Sequence, residues 1–117
     1  IIHLNISSIA NHINDLKLIL QLSKHRFDVI CISESRIRKD TEPSVNISLP
    51  GYTIEHTPTE GNAGGTLIYI SNAFNYKLRN DLKIYKSKEL ESTFIELIFE
   101  KRKNLIIGCI YKYPKMS

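Results

Sequence analysis

The sequence predicts an α/β fold: a layered sheet that opens with one strand–helix–strand unit and continues as a meander of strands. Three observations carry this. Ile9, Ile13, Leu16 and Leu20 recur at helical spacing between two short apolar runs, residues 1–5 and 29–32. The second run, Val29-Ile30-Cys31-Ile32, has no polar alternation, as expected of a strand covered on both faces. Residues 93–100 alternate cleanly and are joined to the apolar run 105–111 by a Lys-Arg-Lys-Asn turn, the pattern of a hairpin.

The elements follow in order. Residues 1–5 form a short strand that ends at Asn5. Asn11 is placed to cap the helix, with Asp15 favouring its positive end. Ile19 widens the apolar stripe, and Lys24, His25 and Arg26 close the helix with cations, as its dipole prefers. With the strand at 29–32 this makes one βαβ unit, whose crossover is expected to be right-handed. Residues 36–50 are polar, contain Pro43 and Pro50, and read as a loop. Residues 51–56 alternate weakly, as an exposed strand does, and 57–62 are turn-rich. Gly64-Gly65 launches a strand at 66–70; residues 76–85 read as a further strand before the hairpin.

Bulk properties narrow the classes. Hydrophobic residues are 42% and charged residues 24% of the 117, which excludes disordered and fibrous chains and allows one domain at most. Sixteen Lys and Arg against twelve Asp and Glu give a net charge of +4. That permits a polyanionic partner, but the cations are dispersed and read equally well as solvated turns and helix ends. Cys31 and Cys109 lie in apolar runs without CxxC or His-spaced partners, and are expected to be reduced core residues of an intracellular protein. No apolar stretch reaches bilayer-spanning length and no signal peptide is visible, so no membrane partner is expected. The chain starts inside an apolar run without Met and stops just after another, which reads as an excerpt of something longer. Oligomeric state is left open.

Few residues are placed for chemistry. Asn5 closes the first strand and Glu34 the second, across one helix. On parallel neighbouring strands both would emerge at the carboxyl edge of the sheet, where open α/β sheets bind ligands. A carboxylate there can hold a hard divalent cation, and a neutral carboxamide can orient a phosphate or a water. Equally, both residues can simply end strands. Tyr111 ends the last strand, where a phenol can donate to a phosphate oxygen or serve as an aromatic at a core edge. Gly64-Gly65 lacks the spacing of a phosphate-binding loop and reads as a turn. His3, His12, His25 and His56 show no metal-ligand spacing.

Taken together, Asn5-Ile6-Ser7-Ser8-Ile9, a helix, and Asp28-Val29-Ile30-Cys31-Ile32-Ser33-Glu34-Ser35 resemble the opening of the endonuclease/exonuclease/phosphatase superfamily. The downstream order resembles the endonuclease domain of non-LTR (LINE, jockey-like) retrotransposons. It comprises Gly51-Tyr52, Ala63-Gly64-Gly65 before a strand, Glu91-Ser92 before an alternating strand, and Tyr111-Lys112-Tyr113-Pro114. The resemblance spans nearly the whole chain.

The resemblance implies a fold, a reaction and roles. The fold is the N-terminal portion of a four-layer α/β sandwich, with one mixed sheet and the second sheet largely missing. The reaction is divalent-metal-dependent hydrolysis of DNA phosphodiesters, with Mg²⁺ as cofactor (Mn²⁺ as substitute), DNA as partner and the nucleus as workplace. Asn5 resembles the active-site asparagine, Glu34 the metal-ligating glutamate and Tyr111 the tyrosine that contacts the scissile phosphate. All three are expected on the rim of one sheet. Phosphoinositide phosphatases and sphingomyelin phosphodiesterases of the superfamily share this first half, and a non-catalytic remnant of a decayed mobile element would too. Departures are evident: Ser7 stands where the family often has arginine, and Lys112-Tyr113 replaces Arg-Pro. Lysine keeps the charge but loses the planar fork that grips phosphate. The family's D-x-N and S-D-H motifs would lie beyond Ser117, so the excerpt alone is expected to be inactive.

Overall fold

Alternation, and its absence, sorts the strands into two sheets. The computed structural model describes residues 1–23, 26–40 and 46–114. The first sheet contains β1 (Ile2–Asn5), β2 (Val29–Ser33), β3 (Tyr52–Thr57) and β4 (Thr66–Ser71), in spatial order β1-β2-β4-β3. β1 and β2 are parallel and the other pairs antiparallel, so the sheet is mixed. The helix α1 (Ile9–Leu22) joins β1 to β2. A second sheet is built from β5 (Asn75–Leu78), β6 (Leu90–Ile98) and β7 (Leu105–Lys112), all antiparallel.

The layers explain the patterns. Ile30 and Ile32 of β2 and Leu67 and Tyr69 of β4 face the helix, where Ile9, Ile13 and Leu16 are buried against them. Val29 and Cys31, with Ile68 and Ile70, face the second sheet and pack on Ile95, Leu97, Ile107 and Cys109. β2 and β4 are therefore covered on both faces and read as unbroken apolar runs. Burying a side chain such as Leu16 stabilises by about 2 kcal/mol. Cys31 and Cys109 are free thiols inside this second layer, and the Cys109 thiol donates to the Ile32 carbonyl at 3.2 Å, tying β7 to β2.

Three expectations are corrected. Asn11 is not the cap: the helix starts at Ile9, with Ser8 before it at φ 77° and making no side-chain capping bond. The first amides are instead satisfied at long range, Ser8 N–H by the Glu34 carbonyl and Ile9 N–H by the Ser35 carbonyl, both at 3.0 Å. The helix ends at Leu22, and of its proposed closing cations Lys24 and His25 lie outside the described residues, as does Pro43. The strand expected over 76–85 is only β5 plus a short 3-10 turn, Asn80–Leu82. There Arg79 turns its guanidinium to Asp81 and Glu96, and the turn breaks the ladder. Finally, the hairpin belongs to a second sheet of three strands rather than extending the first, because its inner face is as apolar as the back of β2 and β4.

Candidate active site

The register of the first sheet lines up one row of polar residues. Asn5 pairs with Ser33, Ser33 with Thr66, and Thr66 with Thr57. Ile2 and Leu4 pack toward the helix, so alternation puts His3 and Asn5 on the side of the second sheet. Neighbouring strands lie about 4.8 Å apart, which sets Asn5 next to the chain segment that leads into Glu34. The row is answered from β6. Thr93 is within 2.8 Å of Thr66 and 3.1 Å of Thr57, hydroxyl to hydroxyl, and Thr57 also donates to the Ser92 carbonyl at 2.8 Å. The apolar interlayer core thus ends in a polar rim.

Glu34 sits at that rim in a left-handed conformation, φ 60°, and Arg36 shares it at φ 57°. Such backbone is unfavourable for residues with a Cβ and persists only where neighbours over-determine it. Here they do. The Ser35 and Arg36 amides donate to the carbonyls of Gly65 (3.1 Å) and Gly64 (2.8 Å), while the Glu34 and Ser35 carbonyls hold the start of α1. The Glu34 carboxylate is 18% exposed. Its Oε2 accepts from Arg36 Nη2 at 3.2 Å and from Ser7 Oγ at 3.4 Å.

Tyr111 arrives from the second sheet. Its phenol is pushed above the usual tyrosine range, first by burial and then by the nearby Glu34 carboxylate. The Tyr111 phenol thus lies within the electrostatic reach of Glu34 from across the two sheets, with Asn5 on the adjoining strand. The expectation of one shared sheet rim is corrected: Asn5 and Glu34 share the first sheet, and Tyr111 closes the site from the second. Stacked edge-on against Tyr111 is Tyr113, with ring centroids 5.0 Å apart.

Sequence reasoning passed over four contributors. Ser7 stood out only as a departure, yet its hydroxyl reaches Glu34. Arg36 is two residues from Glu34, and no spacing rule brings it back onto the carboxylate; the left-handed turn does. Glu91 marked a motif and is 1% exposed, its Oε1 accepting the Gly65 amide at 2.6 Å. Tyr113, another departure, places its hydroxyl 2.7 Å from both Thr59 Oγ1 and the Ala63 carbonyl. Gly64-Gly65 is a turn feeding β4; at φ 98° and 84° both glycines are left-handed, and a Cβ on Gly65 would run into Ser35 Oγ.

A metal would meet a particular donor set here. Among the described residues no three His, Cys, Asp or Glu side chains converge on one point. One carboxylate beside one carboxamide does not make a closed tetrahedral zinc cage. It does fit a hard cation that takes one or two protein oxygens and keeps several waters. Among the described residues no helix is long and apolar enough to cross a membrane.

The arrangement is that of a mixed α/β fold in which two sheets pack and a site opens at their common rim. Its backbone is similar to that of AP endonuclease LMAP from Leishmania major, with a TM-score of 0.64 at 15% identity, over 94% of this chain. The chain spans 38% of that endonuclease. No protein-family model matches the sequence, and no curated protein matches it.

Proposed function

We propose that this chain is part of a divalent-metal-dependent DNA endonuclease of the non-LTR retrotransposon type, which nicks target DNA to prime reverse transcription. One observation carries the reading: the Glu34 carboxylate is held at the rim between the sheets by Arg36 and Ser7, with Asn5 closing the neighbouring parallel strand and the Tyr111 phenol near enough to feel its charge. The likeness of the backbone to a solved AP endonuclease supports it. The workplace would be the nucleus.

In this reading Glu34 would hold Mg²⁺ or Mn²⁺. The ion, when bound, supplies charge neutralisation on the phosphoryl oxygens and an acidified water. The chain's own residues do the rest. Tyr111, kept protonated by its surroundings, donates to a non-bridging phosphate oxygen. Asn5 orients the phosphate or the water without adding charge. Arg36 brings a guanidinium, and with it the planar fork that Lys112 lacks, to the same carboxylate.

The test is nicking of supercoiled plasmid by the full-length protein that carries this sequence. Cleavage should need Mg²⁺ or Mn²⁺ and leave a 3′ hydroxyl, and Glu34→Gln should lower its rate by about 100-fold or more. Hydrolysis of an inositol phosphate in preference to plasmid would move the assignment to a phosphatase of the same superfamily. Nicking by the isolated 117 residues at the full-length rate would contradict the assignment of the nucleophile-handling groups to other residues.

A further inference from the structure

Glu91 is a buried acid that the reaction as derived does not use. It lies on the inner face of β6, directly opposite Tyr111 in the ladder. Both its oxygens are engaged: Oε1 accepts the Gly65 amide at 2.6 Å and Oε2 accepts the Tyr113 hydroxyl at 3.2 Å. From Gly65 the bonding continues outward. The Gly64 and Gly65 carbonyls hold the Arg36 and Ser35 amides, and these directly follow the left-handed Glu34. From Tyr113, whose oxygen can accept from the Thr59 hydroxyl, it continues the other way, and by ring contact to Tyr111. A Cβ on Gly64 would overlap both Glu91 Oε1 and the Tyr113 hydroxyl, so the turn is moulded around this acid.

We propose that Glu91 is a positioning residue. Its carboxyl group pins the Gly64-Gly65 turn and Tyr113 together, and thereby sets the distance between Glu34 on the first sheet and Tyr111 on the second. Without it the Gly65 amide has no acceptor, the turn loosens, and nothing opposes relaxation of Glu34 and Arg36 out of their left-handed conformations. A buried, bonded acid is usually a fold element only; here its two partners lead to opposite sides of one site. The inference rests on Glu34 being the metal-holding group, and the test separates the two.

Amide hydrogen exchange, followed by NMR, reads the turn without any metal. In Glu91→Leu, exchange at Ser35 and Arg36 should speed up about tenfold or more, the loss of one buried hydrogen bond, while Ile95 and Ile107 in the strand centres change less than about threefold. Glu91→Gln keeps an acceptor for Gly65 and should restore protection at Ser35 and Arg36 to within about threefold of the parent. Titration with Mn²⁺ alone, read by its electron spin resonance signal, should show affinity lowered about tenfold in Glu91→Leu, as for loss of an outer-shell partner, and kept in Glu91→Gln. Unchanged exchange at Ser35 and Arg36 in Glu91→Leu, or an even loss of protection through both sheets, overturns the proposal. Should Glu91→Leu not fold, Tyr113→Phe decides: about threefold faster exchange at the same two amides is expected, and no change overturns it. Equal Mn²⁺ binding by the parent and Glu34→Gln would reject Glu34 as the metal-holding group, while the exchange data still judge Glu91.

Discussion

At the scale of residues, the site depends on backbone that most side chains avoid. Glu34 and Arg36 are left-handed, and Gly65 is the partner that makes this possible, because its carbonyl takes the Ser35 amide and its missing Cβ leaves room for Ser35 Oγ. Gly65→Ala adds a methyl group where there is no space and a Cβ at φ 84°. Overpacking costs about 1–3 kcal/mol and the left-handed alanine about 1–2 more, so the urea midpoint should fall by the equivalent of about 2–4 kcal/mol. Gly61→Ala, whose Cβ would meet only ordinary contacts at 3.9 Å and which lacks a positive φ, should cost under about 1 kcal/mol in the same measurement. Asn5, Glu34 and Tyr111 were legible in the sequence as strand-end polar groups. Arg36, Glu91 and Tyr113 were not. Their roles depend on a turn, a register and a ring contact that join residues from 34 to 113, and local spacing carries none of these.

At the scale of elements, the apolar core strands were readable because each is enclosed by the helix on one side and the second sheet on the other. Element ends were less so. The start of α1 is held by carbonyls that lie 26 residues downstream of the amides they accept (34 − 8 and 35 − 9), so no capping residue marks it. β6 begins earlier than its alternation suggests, at Leu90, because the Lys86–Leu90 turn feeds it. That turn carries a removable flaw: Lys88 is exposed and left-handed, φ 61°. Lys88→Gly should raise stability by up to about 1 kcal/mol, a gain of a few degrees in melting temperature, leaving the Lys86–Glu89 ion pair in place. Calorimetry of the single variant checks it.

At the scale of the whole molecule, two layers must stay in phase for the rim to exist. The Tyr76 hydroxyl on β5 donates to Glu55 Oε2 on β3 at 2.8 Å and bridges the sheets far from Glu34 in the chain. Burial first, then this bond and the charge of Glu55, push the Tyr76 phenol up to about 12 from an ordinary value of 10.0. A raised folded-state value means that the stabilisation is complete below the unfolded value and is lost as pH climbs through the folded one. Stability should therefore decline between about pH 10 and pH 12, with Tyr111 and Tyr113, also shifted upward chiefly by burial, adding to the slope. Urea midpoints at pH 8 and pH 11 should show the drop, and Tyr76→Phe should lose about 1 kcal/mol at pH 8 but decline less steeply. The presence of a second layer was the least legible feature, since a hairpin's alternation says that one face is covered and not by what. The borrowed start of α1 has a consequence for biosynthesis. During translation the first helical turn has no partner for its leading amides until residues 34 and 35 leave the ribosome. A nascent chain paused before that point keeps the entry to α1 frayed and has no rim.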